Sequence, residues 1–163
     1  MKKLILIISL VLAVSALLAG CSQPAATVTP APAPTTDVIF TKWVTTAGTA
    51  PVVMNMAGVV SGDAGAGLYT GEVLEYKPGD AITTVVADYH INGGIHQLTA
   101  HLNVTQDNKK GTAVLTGTVT AGWLKGAQVN GTYQVIGPSG ILNAQQGVGG
   151  DYAYQGTLHI QSR

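Results

Sequence analysis

Residues 82–105, ITTVVADYHINGGIHQLTAHLNVT, are two runs of alternating apolar and polar side chains around Asn92-Gly93. Asn-Gly between such runs is the strongest local signal for a β-hairpin with a two-residue type I′ turn. With those two residues as the turn, Tyr89 pairs with His96, Ala87 with Leu98, Val85 with Ala100 and Thr83 with Leu102, which makes an apolar face carrying one histidine. The other face pairs His90 with Ile95, Asp88 with Gln97, Val86 with Thr99 and Thr84 with His101, so His90 and His101 stand about 20 Å apart at ~3.3 Å per residue. A three-residue loop that includes Gly94 would instead set His90 against His96 with Asp88 on the same face, a donor set that suits zinc. It would also place Asp88 among Ile82, Val86, Leu98 and Leu102, where an unpaired carboxylate is costly. The two-residue register segregates polar from apolar side chains and is preferred. It predicts no metal site and leaves His96 pointing inward beside Tyr89.

The pattern continues on both sides of this hairpin. Short β-branched and aromatic runs near 38–45, 52–61, 67–76, 82–91, 95–105, 112–121, 128–136 and 152–161 are separated by Gly, Asn, Asp and Pro clusters. This predicts an all-β domain, an antiparallel meander of about eight strands able to close into a barrel and so remove its edges. Ala113, Leu115, Gly117, Val119 and Ala121 form one inward series, as do Val129, Tyr133 and Val135, and Tyr152, Tyr154, Leu158 and Ile160. Threonine and glutamine fill the opposite faces, and His159 falls among them, facing solvent.

Charged residues are only 10% of the chain and the formal net charge is zero, against about 25% charged in ordinary soluble domains. No basic footprint for nucleic acid exists. Gly65-Ala66-Gly67 and Gly147-Val148-Gly149-Gly150 precede no helical pattern, so neither reads as a phosphate loop, and no cofactor motif is present. Asn103-Val104-Thr105 and Asn130-Gly131-Thr132 match short sequons of little specificity. Trp43 and Trp123 read as core or rim aromatics, because no basic groove accompanies them.

The first twenty residues have another purpose. Lys2 and Lys3, an apolar run from Leu4 to Leu18 and then Leu18-Ala19-Gly20-Cys21 form an export signal, and the last four residues resemble the lipobox of bacterial lipoproteins. That resemblance implies acylation, palmitate included, of Cys21 as the mature N-terminus, and membrane attachment through it. The apolar run is shorter than the ~20 residues of a bilayer span. Residues 21–36 follow as a tether rich in Pro, Ala and Thr, uncharged and suited to an extended conformation, before a single domain at 37–163. Cys21 is the one cysteine, so the domain has no intrachain disulfide. The expected location is the extracytoplasmic face of the bacterial cell envelope; Ser22 differs from the Asp that resembles an inner-membrane retention signal.

Gly65-Ala66-Gly67-Leu68-Tyr69-Thr70-Gly71 and Gly147-Val148-Gly149-Gly150-Asp151-Tyr152-Ala153-Tyr154-Gln155-Gly156, with the hairpins between them, resemble the glycine-punctuated strands of the allene oxide cyclase and dirigent barrel superfamily. Gly117 to Tyr133, GTVTAGWLKGAQVNGTY, also resembles a segment of uncharacterised secreted bacterial proteins. The likeness spans most of residues 52–160 and implies a barrel. Cyclases of that family hold an inward glutamate and an asparagine-bound water, but neither position can be matched here, so no catalytic role carries over.

One carboxylate stands out from the pattern. Leu68, Thr70, Glu72, Leu74 and Tyr76 share a face, which would turn Glu72 inward, where a raised pKa would suit an acid or base; a strand-end Glu72 reaching solvent is the plainer alternative. The leading expectation is a lipid-anchored barrel that binds a small apolar ligand through Tyr69, Tyr89, His96, Tyr133 and Tyr154. The alternatives are a cyclase-like isomerase using Glu72 with Tyr69, Tyr89 or His96, and a structural module whose barrel is filled.

Overall fold

A computed structural model describes residues 35–138 and 152–162. Eight strands, β1 (Thr35–Ala47), β2 (Met54–Gly62), β3 (Gly67–Lys77), β4 (Ile82–Gly93), β5 (Gln97–Asp107), β6 (Thr112–Gly122), β7 (Gln128–Pro138) and β8 (Tyr152–Gln161), run in sequence order around a closed barrel. Every neighbouring pair is antiparallel, and β8 returns to β1, pairing Thr35 with Gln161 and Trp43 with Ala153. The all-β meander read from the alternation is therefore the fold, and it has no free edge.

Among the described residues, one end of the barrel is packed and the other open. The β2–β3, β4–β5 and β6–β7 connections and the start of β1 lie at the packed end. There Ala64, Leu158, Ile160 and Val38 have no exposed surface, and His96 stacks on Trp123 with ring centroids 3.8 Å apart. In mid-barrel Phe40, Tyr69 and Tyr89 form a buried aromatic layer, Tyr69 and Tyr89 edge-to-face at 5.0 Å. Two inward glycines make room for these rings. A Cβ on Gly156 would lie 2.7 Å from Phe40 Cζ, and one on Gly71 would lie 2.8 Å from Met56 Cε and 3.0 Å from Tyr69 Cζ.

The central hairpin keeps the expected faces but in a different register. Asn92 pairs with Gln97, His90 with Thr99, Asp88 with His101 and Ala87 with Leu102, each residue of β4 meeting a partner four positions further along than an Asn-Gly turn would give. Because four is even, Tyr89, Ala87, Leu98, Ala100 and Leu102 still point inward. The reason is tertiary. The Asn92-Gly93 segment continues the ladder with β3, Gly67 opposite Gly93 and Leu68 opposite Asn92, and the turn moves on to Gly93–His96. That turn is held by the preceding connection: Gly94 N–H donates to Ala66 O at 2.9 Å, and Ile95 and His96 N–H to Ala64 O at 3.0 Å. A side chain at 93 would press into the Ala64 backbone, its Cβ 2.7 Å from the Ala64 carbonyl carbon.

Candidate functional site

The site begins with β1. Val38, Phe40 and Val44 point inward, and strict alternation carries Lys42 inward with them. Lys42 is only 5% exposed. It stands one step nearer the open end than the aromatic layer, its Nζ donating to Tyr89 Oη and approaching Met56 Sδ at 3.7 Å. Four rings surround the amine, with centroids 4.5 Å (Tyr89), 4.8 Å (Tyr133), 5.8 Å (Tyr154) and 5.9 Å (Phe40) from Nζ. Among the described residues no carboxylate pairs with it.

Two effects oppose each other here. Burial disfavours the ammonium form and draws the Lys42 pKa down to about 7, whereas the ring faces attract a cation. The amine therefore changes charge close to neutral pH. Burial pushes the Tyr69 and Tyr89 hydroxyls well above their ordinary range, with neighbouring tyrosines adding to it, and raises Tyr133 and Tyr154 as well. These phenols remain neutral while Lys42 titrates.

Above Lys42 the barrel widens into a cavity of about 740 Å³ that opens between the β3–β4 and β5–β6 turns. Val44, Met54, Val73, Val85 and Val104 line its walls, and Tyr76, Lys109 and Tyr152 are among the residues at its rim. The volume suits a drug-sized molecule. Tyr133 spans part of the wall, its hydroxyl donating to Gln106 Oε1 at 2.8 Å. Another hollow, of about 700 Å³, lies between Ile39, Ile82, Val114 and Gln155, but no buried polar side chain is directed into it.

Of the side chains expected to bind a ligand, Tyr89, Tyr133 and Tyr154 gather around Lys42, and Tyr69 lies behind them in the aromatic layer. His96 does not join them. The shifted register places it in the turn after β4, against Trp123 at the packed end. Glu72 reaches solvent, the plainer of its two readings, though from mid-strand, and the inward reading falls: it faces outward, between Asn55 of β2 and Asp88 of β4. Tyr69, Gly71 and Val73 form the inward series until a bulge at Leu74 reverses the parity, after which Tyr76 opposes Val85 and turns in. Leu68, Thr70 and Glu72 do share a face, but it is the outer one, and the bulge separates Tyr76 from it.

The histidines lie on the wall or in turns. His101 Nδ1 meets Asp88 Oδ1 at 2.7 Å, His90 Nδ1 meets Thr99 Oγ1 at 3.2 Å, and His159, solvent-facing as expected, meets Asp37 Oδ1 at 2.7 Å. The register that would have joined His90, His96 and Asp88 is not the one formed, and no group of three His, Cys, Asp or Glu side chains able to hold a metal occurs among the described residues. Lys42 was missed because attention fell on histidines and acids, although its place between Phe40 and Val44 was readable from the same alternation. No family model, curated protein or solved structure matches the chain.

Proposed function

We propose that the chain is a lipid-anchored, extracytoplasmic binding module whose barrel receives a small, largely apolar molecule through its open end. The observation that carries this reading is a cavity walled by Val44, Met54, Val73, Val85 and Val104, with polar side chains such as Gln106, Asn108 and Lys110 also lining it, and one buried amine, unpaired with any carboxylate among the described residues, on its floor. A filled structural barrel has no need to hold a lysine there, since burying it costs stability. Apolar walls supply the affinity, and Lys42, held from behind by Tyr89, supplies the polar point that orients a ligand. The resemblance to allene oxide cyclase and dirigent barrels contributes the barrel alone. With Glu72 outside, a cyclase-like reading lacks its lumen carboxylate.

The binding reading is tested on the full chain with 13C-methyl-labelled methionine, titrated with octanol. Met54 and Met56, on the cavity wall, should shift saturably, with a 1:1 endpoint. Unmoved methyls across octanol and a panel of bulkier alcohols, in a folded protein, would refute the cup as a binding site. Anchoring is tested separately: Cys21→Ser should abolish lipid labelling and membrane retention of the mature form, because acyl chains supply the attachment. Unchanged labelling in that variant would remove the lipobox from the proposal.

A further inference from the structure

We propose that Lys42 is a nucleophile, and that the cup captures apolar aldehydes or ketones reversibly as an imine on its Nζ. This rests on the reading of the cavity as a ligand site and names the class of ligand. Three features of the geometry support it. The amine lines the cavity rather than being sealed behind it, so an entering carbonyl carbon can reach it. No carboxylate holds it as an ammonium ion among the described residues. Tyr89 Oη is in hydrogen-bond contact with Nζ, which places a proton carrier at the reacting atom.

The chemistry balances without an outside reagent. Neutral Nζ adds to the carbonyl carbon, and one of its protons passes to the carbonyl oxygen, giving a carbinolamine. The Tyr89 hydroxyl then gives its proton to the departing hydroxyl group, which leaves as water. As the nitrogen lone pair forms the C=N bond, Tyr89 recovers the remaining N–H proton, so the phenol ends as it began. Apolar walls favour loss of water and hold the chain of the ligand. Burial keeps a large share of Lys42 neutral at pH 7, the condition an amine needs for attack. The groups facing Nζ from the neighbouring strands are Met56 on β2, Tyr89 on β4, Tyr133 on β7 and Tyr154 on β8. The three phenols stay neutral there, so the pH profile belongs to Lys42.

The experiment is reductive trapping of the full chain with octanal and cyanoborohydride at pH 7, read by intact mass and peptide mapping. One octyl group should appear on Lys42 at a rate at least roughly tenfold above that of the exposed Lys77, Lys109, Lys110 and Lys125, since attack needs the neutral amine that burial favours at Lys42. Its rate should rise through a midpoint near 7. Lys42→Arg and Lys42→Met should lose this adduct, and Tyr89→Phe should slow it while the octanol-induced methionine shifts persist. Octyl groups spread over the surface lysines with Lys42 unmodified, in a protein that still binds octanol, would overturn imine capture and leave the binding reading standing. Failure of octanol to bind would remove the binding reading itself, and with it this inference.

Discussion

The two halves of the barrel use the same alternation to different ends. Toward the packed end the inward positions hold Val38, Val60, Ile91, Leu98, Leu158 and Ile160, and the connections fold over them, exchanging backbone hydrogen bonds between Ala64–Ala66 and Gly94–His96. Toward the open end the inward positions are Val44, Val73, Val85 and Val104 with Lys42 at the floor, and a cavity remains. An identical in–out pattern thus builds a filled core in one half and a cup in the other. The difference comes from side-chain bulk and from which loops turn inward, neither of which is part of the period-two signal.

Cavity-forming substitutions should expose that difference most strongly. Leu158→Ala, in the fully buried half, should lose about 2–5 kcal/mol in urea unfolding, because the void left there is enclosed. Lys42→Met should move stability the other way, by up to roughly 5 kcal/mol at pH 6, since the pKa falls from 10.5 to about 7 and each unit corresponds to about 1.4 kcal/mol. The sign follows from protonation: below about 7 Lys42 is charged in both folded and unfolded chains, and the fold bears the whole cost of a buried ammonium. As pH rises toward 10.5 the folded chain is already neutral while the unfolded one is still protonated, so the wild type gains stability and the advantage of Met shrinks. A pH-independent difference between the two proteins would show that Lys42 is solvated, and the cup would lose its charged floor. Val85→Ala, on the cavity wall, should cost under about 1.5 kcal/mol, because the side chain already borders open space and only its contribution to apolar burial is lost. Equal losses at Leu158 and Val85 would mean that both halves are filled alike.

Most strand faces were legible in the sequence because alternation survives any even shift of register. That is why Tyr89, Tyr133 and Tyr154 fall on the inner side as read while the pairing of β4 with β5 was four residues off; Tyr69, also inward, stands on the face of β3 opposite to the one that an inward Glu72 required. Ala121, beyond the irregularity between β5 and β6, and Tyr152 at the rim were read as inward and are exposed. The register was not legible, because the Asn-Gly signal is local and the hydrogen bonds from Ala64 and Ala66 that moved the turn come from another hairpin. The inward reading of Glu72 took the wrong face of β3, and the bulge at Leu74 that returns Tyr76 to the inside has no marker in the sequence. His96 was misplaced by the register. Lys42 needed no more information than was used for Tyr89; it lay in the inward series of β1, and an inward lysine in so weakly charged a chain was the stronger signal.

Closure of the barrel joins the first strand to the last, with Thr35 against Gln161. Every other pairing joins neighbours in the chain, so this one spans the longest loop and carries the greatest entropy of closure. It also waits for β8. A chain cut before β8 would keep seven paired strands yet present two bare edges, β1 and β7, each a template for another chain. Addition of β8 is therefore the step that closes an association-prone sheet into a barrel without free edges.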